Sequence, residues 1–311
     1  MEYRRLGNSG LEVSVIGLGA NNFGRRVDAD GTAVVINHAL DTGINLIDTS
    51  NSYGVERRSE EFIGKALKGK RDKALIATKA ASRLIEGPNQ AGASRQHLMA
   101  ELETSLRTLD TDYIDLYQIH FPDSNTPIEE TMRALDDMVR QGKVRYIGCS
   151  NYAAWQVCEA LWTSKSMGLA PFVSVQPHYS MMERRVEAEL VPFCKEYRIG
   201  ILPYFPLASG FLTGKYKRDQ PAPEGTRLSE GDRGMFSDAN FDMLEKLESF
   251  SAERGRTVLE LAFAWLLANP DVSSVIAGAT KAEQVVGNSK AVGWNLTAED
   301  MAEVDTILKG K

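Results

Sequence analysis

Asp48, Tyr53, Lys79 and His120 are residue types that together can run proton transfer, and they lie at the ends of successive short apolar runs. Leu46-Ile47-Asp48 closes one run, and Tyr53 follows Asp48 by five residues. Ile76-Ala77-Thr78-Lys79 closes the next, and Leu116-Tyr117-Gln118-Ile119-His120 the one after. A phenol titrates near 10, too high for easy exchange near neutrality. A nearby ammonium stabilises the phenolate, so Lys79 is expected to lower the value of Tyr53. A buried lysine needs a partner, and Asp48 is the available carboxylate. His120 can then orient a bound group or relay a proton. The combination is general acid catalysis, which contributes about 10²- to 10⁴-fold. Singly, Asp48 would read as a loop cap and Lys79 as an ion-pair partner. Their convergence with two further groups favours chemistry.

These side chains need a frame that brings three strand ends together. Short apolar runs recur at residues 15–18, 45–48, 74–79, 113–120, 144–148, 172–176, 200–203 and 274–276, which makes eight candidate strands. Most are apolar throughout, as strands buried on both faces are. Segments of helical period separate them: Leu98, Leu102, Leu106 and Leu109 form one stripe, and Trp155, Cys158 and Trp162 are read as the packing face of another. The pattern predicts a (β/α)8 TIM barrel over residues 1–311 as one domain, with a doubly wound sheet as the alternative. Residues 3–6 and 11–15 flank a Gly-rich turn and predict an N-terminal hairpin. Residues 298–308, led by Thr297 and Asp300, predict a C-terminal helix. Alternation places Leu116, Gln118 and His120 on one face of their strand and Ala77 and Lys79 on one face of theirs, so Lys79 and His120 point into the top of a barrel. Residues 209–237 show no period and are rich in Gly, Pro and charge, which at the active-site end of a barrel fits a lid.

Composition excludes several classes. A net charge of −6 argues against a nucleic-acid partner. Cys149, Cys158 and Cys194 have neither paired nor zinc-ligand spacing, and no HExxH or His/Asp cluster is present, so no metal is expected. No leader or membrane span is read, and a cytoplasmic protein is expected. His38 and His97 are expected on helix surfaces, and Cys149 in the core. Gly17-Leu18-Gly19-Ala20-Asn21-Asn22 follows a strand as a dinucleotide fingerprint would, but Asn22 replaces the third glycine. It reads as a barrel loop whose Asn21, Asn22 and Phe23 line a pocket. His178, after the sixth strand, is a lesser candidate for the same pocket.

The run Asp48-Thr49-Ser50-Asn51-Ser52-Tyr53-Gly54 resembles the signature of the aldo-keto reductase family, and Leu102-x-x-Ser105-Leu106-x-x-Leu109-x-x-Asp112-Tyr113-x-Asp115-Leu116 resembles its second signature. His120-Phe121-Pro122-Asp123 is similar to the segment carrying the family histidine. The resemblance runs from Arg5-Leu6-Gly7 to about Asn288. It implies a catalytic tetrad of Asp48, Tyr53, Lys79 and His120, with Tyr53 protonating an aldehyde or ketone oxygen as hydride arrives from NADP(H), preferred here over NAD(H). It implies nicotinamide contacts at Ser150, Asn151 and Gln176, and ring stacking by Tyr204. Phe205, Pro206 and Leu207 continue that segment, and Ser209, Gly210, Leu212, Gly214 and Lys215 match the loop around the pyrophosphate. Ile276, Gly278, Ala279, Thr280, Lys281, Gln284 and Asn288 match the adenosine-phosphate site. A cation beside helix-start amides favours a 2′-phosphate, and Lys281 is the candidate. Asn22, Phe23, Tyr53, His120 and Phe121 are the expected substrate contacts. The implied partner is a small carbonyl compound. Phe205 and Ala277 depart from the common Ser and Pro of the family. Some relatives use the fold as cofactor-sensing regulatory subunits, which is the alternative function.

Overall fold

The computed structural model describes residues 1–232 and 234–310; Arg233, inside the 209–237 interval, and Lys311 lie outside the described residues. A two-stranded antiparallel hairpin, β1 (Tyr3–Arg5) and β2 (Glu12–Ser14), opens the chain. Eight parallel strands follow among the described residues: β3 (Ile16–Gly19), β4 (Leu46–Asp48), β5 (Leu75–Ala80), β6 (Ile114–Ile119), β7 (Val144–Ser150), β8 (Phe172–Gln176), β9 (Gly200–Ile201) and β10 (Val275–Gly278). Each pairs with the next in chain order, and β10 pairs with β3. Ile201 N donates to the Asp271 carbonyl at 2.9 Å and Ile276 N to that of Pro203 at 2.9 Å, so the sheet closes between β9 and β10. This is the (β/α)8 barrel that the alternation predicts, and a doubly wound sheet is ruled out by the closure.

Helices α1 (Ala29–Asp41), α2 (Arg58–Ala66), α3 (Arg95–Thr108), α4 (Ile128–Arg140), α5 (Ala154–Met167) and α6 (Leu190–Tyr197) follow the first six barrel strands. Two helices, α7 (Asp238–Glu253) and α8 (Val258–Leu267), precede β10, and α9 (Ala282–Ser289) and α10 (Ala298–Lys309) follow it. One core lies between sheet and helices. A second fills the barrel itself: Leu46, Ala77, Leu116, Leu202 and Ile276 pack there with Leu6 and Val13 of the hairpin, which plugs the floor. Gly7 lets the hairpin seat so deeply. Its φ is +55°, and a Cβ there would lie 2.3 Å from the Val173 carbonyl oxygen.

The leucine stripe of α3 is buried as expected, and Ser94 caps that helix by accepting from His97 N. In α10, Thr297 and Asp300 form the predicted reciprocal cap, worth about 0.5–2 kcal/mol, over buried Val304 and Leu308. Two expectations fail. Trp155 and Trp162 are 62% and 51% exposed, because α5 carries apolar residues on both sides and packs with Val157, Ala160 and Leu161 instead. His97 is buried, because the first turn of α3 lies against the body of the fold rather than at the surface.

The described residues of the 209–237 interval are also more ordered than their composition suggests. They contain two 3₁₀ turns, Ala208–Thr213 and Arg227–Glu230. Phe211 sits 5.5 Å, ring to ring, from Phe241 of α7, and Tyr216 5.4 Å from Phe236. Buried aromatic rings anchor the segment where no period could announce it. Among the described residues, no helix is long and apolar enough to cross a membrane.

Candidate active site

Strand alternation delivers Asp48, Lys79 and, just past the end of β6, His120 to one place, and the loop after β4 adds Tyr53. Leu46, Ala77 and Leu116 point into the barrel, so the residues two further along β4, β5 and β6 form the next layer: Asp48, Lys79 and Gln118. Lys79 Nζ donates to Asp48 Oδ2 at 2.6 Å, to the Thr49 carbonyl at 2.9 Å and to Tyr53 Oη at 3.4 Å. Asp48 Oδ1 accepts from Gln176 Nε2 at 2.8 Å and from Gln118 Nε2 at 3.3 Å. Both carboxylate oxygens are therefore used, which is how an ion pair survives full burial. Burial alone would lower the Lys79 ammonium, but Asp48 first and Tyr53 second outweigh it and hold the amine above its ordinary value. The lysine stays charged.

Tyr53 departs from its expectation. Burial of its hydroxyl raises the phenol above its usual value, and the opposing pull of Lys79 does not cancel that. Without a bound partner the proton is held on oxygen, so the group is poised as a donor rather than as a base. His120 sits 5.8 Å from the Tyr53 ring, edge to face, and stacks on Phe121 at 4.6 Å. Its Nδ1 lies 3.1 Å from Ser50 Oγ and 3.2 Å from Ser82 Oγ. Burial, then the Lys79 charge, depresses the imidazole to about 3, so it is neutral near pH 7. The hydroxyls occupy Nδ1, which leaves Nε2 for a bound molecule.

A cavity of about 710 Å³ opens above this floor, within the roughly 300–1,000 Å³ usual for small-molecule sites. Asp48, Tyr53 and His120 line it, with Asn22 and Phe121 beside them, and Lys79 lies buried beneath. Ser150, Asn151, Gln176 and Tyr204 line the adjoining wall. Asn151 Nδ2 donates to the His120 carbonyl at 2.9 Å, and Tyr204 Oη donates to Asn151 Oδ1 at 2.8 Å. Phe205, Pro206, Leu207, Ser209, Gly210 and Lys215 continue the wall. Ile276, Gly278, Thr280, Gln284 and Asn288 form the far end. There Lys281 precedes α9 as its N-cap and gives no side-chain cap, which leaves the first amides of the helix available to an anion. A long cleft with a cationic rim, an uncapped helix start and a polar floor suits a dinucleotide.

Five expected contacts do not line the cavity. Phe23 is fully buried in the barrel–helix core, because its loop folds back through Phe23 N to the Ala20 carbonyl. Leu212 is buried with Phe211 in the core. Gly214 and Ala279 lie off the cavity wall, and Lys281 extends outward at the helix start. His178 is also set back: it stacks behind Tyr204 at 5.2 Å. Ala277, the other departure, is buried and lines the cavity, while Phe205 takes the Arg227 guanidinium over its ring at 4.8 Å.

Arg26, Thr226, Arg227 and Leu259 line the cavity without having been found from sequence. Arg227 and Thr226 sit in the interval without period, and Leu259 is one of many apolar residues on α8. Arg26 pairs with Glu230, so the 209–237 segment is fastened across the cavity to the loop after β3. Nothing local in the sequence announces that pairing, which joins residues 204 positions apart.

A family model described as the aldo/keto reductase family matches residues 15–309. The chain is 37% identical over 320 residues to aldo-keto reductase YhdN of Bacillus subtilis (strain 168), covering 99% of this chain and 94% of that protein. It is 33% identical over 319 residues to L-glyceraldehyde 3-phosphate reductase of Escherichia coli (strain K12), covering 98% and 92%. It is also 35% identical over 326 residues to a protein of Oryza sativa subsp. japonica named as a probable voltage-gated potassium channel subunit beta, covering 100% and 98%.

Proposed function

The chain belongs to the aldo/keto reductase family of NAD(P)H-dependent oxidoreductases, and from that premise we propose that it reduces an aldehyde or ketone to the alcohol, with NADPH as the hydride source and Tyr53 as the general acid. The observation that carries this reading is the column beneath the cavity: Tyr53 Oη on Lys79, and Lys79 on Asp48. A bound reduced nicotinamide supplies the hydride. The protein's own groups then manage the oxygen. Tyr53 gives its proton to the carbonyl oxygen as negative charge grows there. Lys79 stabilises the phenolate that remains, and Asp48 holds the ammonium in place. Neutral His120 offers Nε2 to the same oxygen and fixes its position. Asn151 braces both His120 and Tyr204, which supports Tyr204 as the flat surface against which a nicotinamide ring would lie.

The preference for NADPH rests on the cationic rim. Lys215, Arg26 and Arg227 line the cavity, and Lys281 stands at the start of α9. The substrate class proposed is a small carbonyl compound, entering past Phe121, Asn22 and Tyr204. Replacing Tyr53 by Phe tests the acid: NADPH oxidation with a panel of aldehydes, sugars and ketones is expected to vanish while NADPH binding persists. Wild-type turnover in that variant would refute the assignment. A second reading, a cofactor-sensing regulatory subunit, draws on the likeness to proteins named as potassium channel β subunits. Capture of one stoichiometric membrane partner, together with no turnover on any carbonyl tried, would favour it.

A further inference from the structure

The segment that carries Tyr53 is tied from behind to α3 by one carboxylate, while Arg57 also faces the buried Glu60 of α2 at 3.8 Å. Glu101 lies on α3, outside the cavity, with no contact to any group that meets a bound molecule. Its Oε2 accepts from Asn51 Nδ2 at 2.5 Å. Both its oxygens accept from Arg57 Nη2, at 2.7 and 2.6 Å. Asn51 stands two residues before Tyr53 and Arg57 four residues after, so a single side chain closes the loop around the phenol. A carboxylate has acceptor sites enough for all three contacts. The Arg57 and Glu101 side chains are only 16% and 12% exposed, which shelters the pair from screening.

The same segment needs such a tie. Gly54, Glu56 and Arg57 have φ of +74°, +52° and +62°. Non-glycine residues hold that region only when their surroundings fix them. Tyr53 itself makes two backbone bonds, its N–H to the Ser50 carbonyl at 3.1 Å and its carbonyl from Ser59 N at 3.3 Å, and both partners belong to the same stretch of chain. Its contact with Lys79 is already long at 3.4 Å, so a small drift of the loop would break it.

We propose that Glu101 is the positioning residue of Tyr53: by clamping Asn51 and Arg57 it fixes the phenol over Lys79 without touching the reaction. The inference rests on the reading of Tyr53 as the acid. The test uses the full chain with NADPH and a good aldehyde substrate. Glu101→Ala is expected to lower kcat by roughly 10- to 100-fold, as misplacement by about an ångström does. NADPH affinity and aldehyde KM should stay within about twofold, because no cavity contact is lost. Asn51→Asp sets two carboxylates face to face and should lower kcat likewise. Adding Glu101→Gln to Asn51→Asp restores a donor–acceptor pair and should recover most of the lost kcat. A thermal melt of each variant accompanies the kinetics.

Wild-type kcat in Glu101→Ala would overturn the proposal. So would a loss of kcat matched by an equal loss of NADPH affinity, or by the fraction unfolded at the assay temperature. If Glu101→Ala does not fold, the Asn51→Asp pair decides, and a double variant no better than the single one overturns the proposal. The two readings separate cleanly. Turnover by Tyr53→Phe sinks the acid assignment, whereas an inactive Tyr53→Phe beside a fully active Glu101→Ala sinks only the clamp.

Discussion

Replacing Asp48 by Asn should leave one of the most deeply buried charges in the protein without its counter-ion. Lys79 is 0% exposed, and Asp48 supplies its shortest contact, 2.6 Å. Two neutral oxygens, of Thr49 and Tyr53, would remain around it. Removing one partner of a buried pair costs about 3–5 kcal/mol. For 311 residues at about 2.1 cal/mol/K each, that is a fall in Tm of about 5–8 °C. The amide oxygen can still accept from Gln118 and Gln176, which turns the new NH2 toward the Lys79 ammonium and adds a donor–donor contact to the lost charge. Adding Lys79→Met to Asp48→Asn removes the stranded ammonium, and an apolar side chain of similar length should recover most of the stability while turnover stays absent. The ammonium is held above its ordinary value in the folded chain. In the parent its stabilisation is therefore complete below lysine's usual value of about 10.4 and lost only as pH rises through the higher folded one; in Asp48→Asn nothing outweighs burial, so the penalty should be largest at low pH and shrink as pH rises and the stranded ammonium sheds its proton. Chemical denaturation and a thermal melt measure it, and NADPH oxidation follows activity. An unchanged midpoint in Asp48→Asn, or a double variant no more stable than the single one, would refute the account of a buried pair held by mutual need.

His120 gives a pH prediction. Its folded value of about 3 lies below the unfolded value near 6.5, so its contribution to stability is present above about 6.5 and lost as pH falls toward 3, by up to about 1.4 kcal/mol per unit. His120→Gln should flatten that part of the acid-denaturation curve, and kcat/KM of the parent enzyme should show no limb near pH 6.5. Glu230→Gln releases Arg26 from across the cavity; because Glu230 is half exposed, the effect should stay within about fivefold on the NADPH dissociation constant, read by fluorescence titration, and shrink as salt rises. Lys281→Ala should weaken NADPH by several-fold and leave NADH unchanged, measured as the ratio of the two dissociation constants; equal loss for both would remove Lys281 from the 2′-phosphate. A stronger effect from Arg227→Ala on the same ratio would move that role to the rim cation that lines the cavity.

Much of this was legible in the order of residues alone. Asp48, Lys79 and His120 end strands whose apolar residues alternate, and alternation alone predicts which side chains share the barrel's interior. The hairpin, the helix stripe of α3 and the reciprocal cap of α10 are local patterns, set within a few residues of each other. The misreadings share a cause. On α5 two faces are apolar, and the choice between them depends on what packs there; the sequence put Trp155 and Trp162 inside, where the fold leaves them exposed. Phe23 looks like a pocket aromatic until its loop folds it into the core.

What the order of residues determined by itself is the frame and the identity of the chemical groups: strand periods, caps and the residue types at strand ends act over a handful of positions. What only the tertiary structure decided is balance. Lys79 ought to lower the phenol of Tyr53, yet burial outweighs that pull, and burial is a property of everything packed around the hydroxyl. Arg26 meets Glu230, Arg227 reaches the cavity, and Glu101 grips both arms of the Tyr53 loop through contacts between elements far apart along the chain. Desolvation and long-range pairing sum over neighbours in space, and spacing in the sequence carries no record of those neighbours.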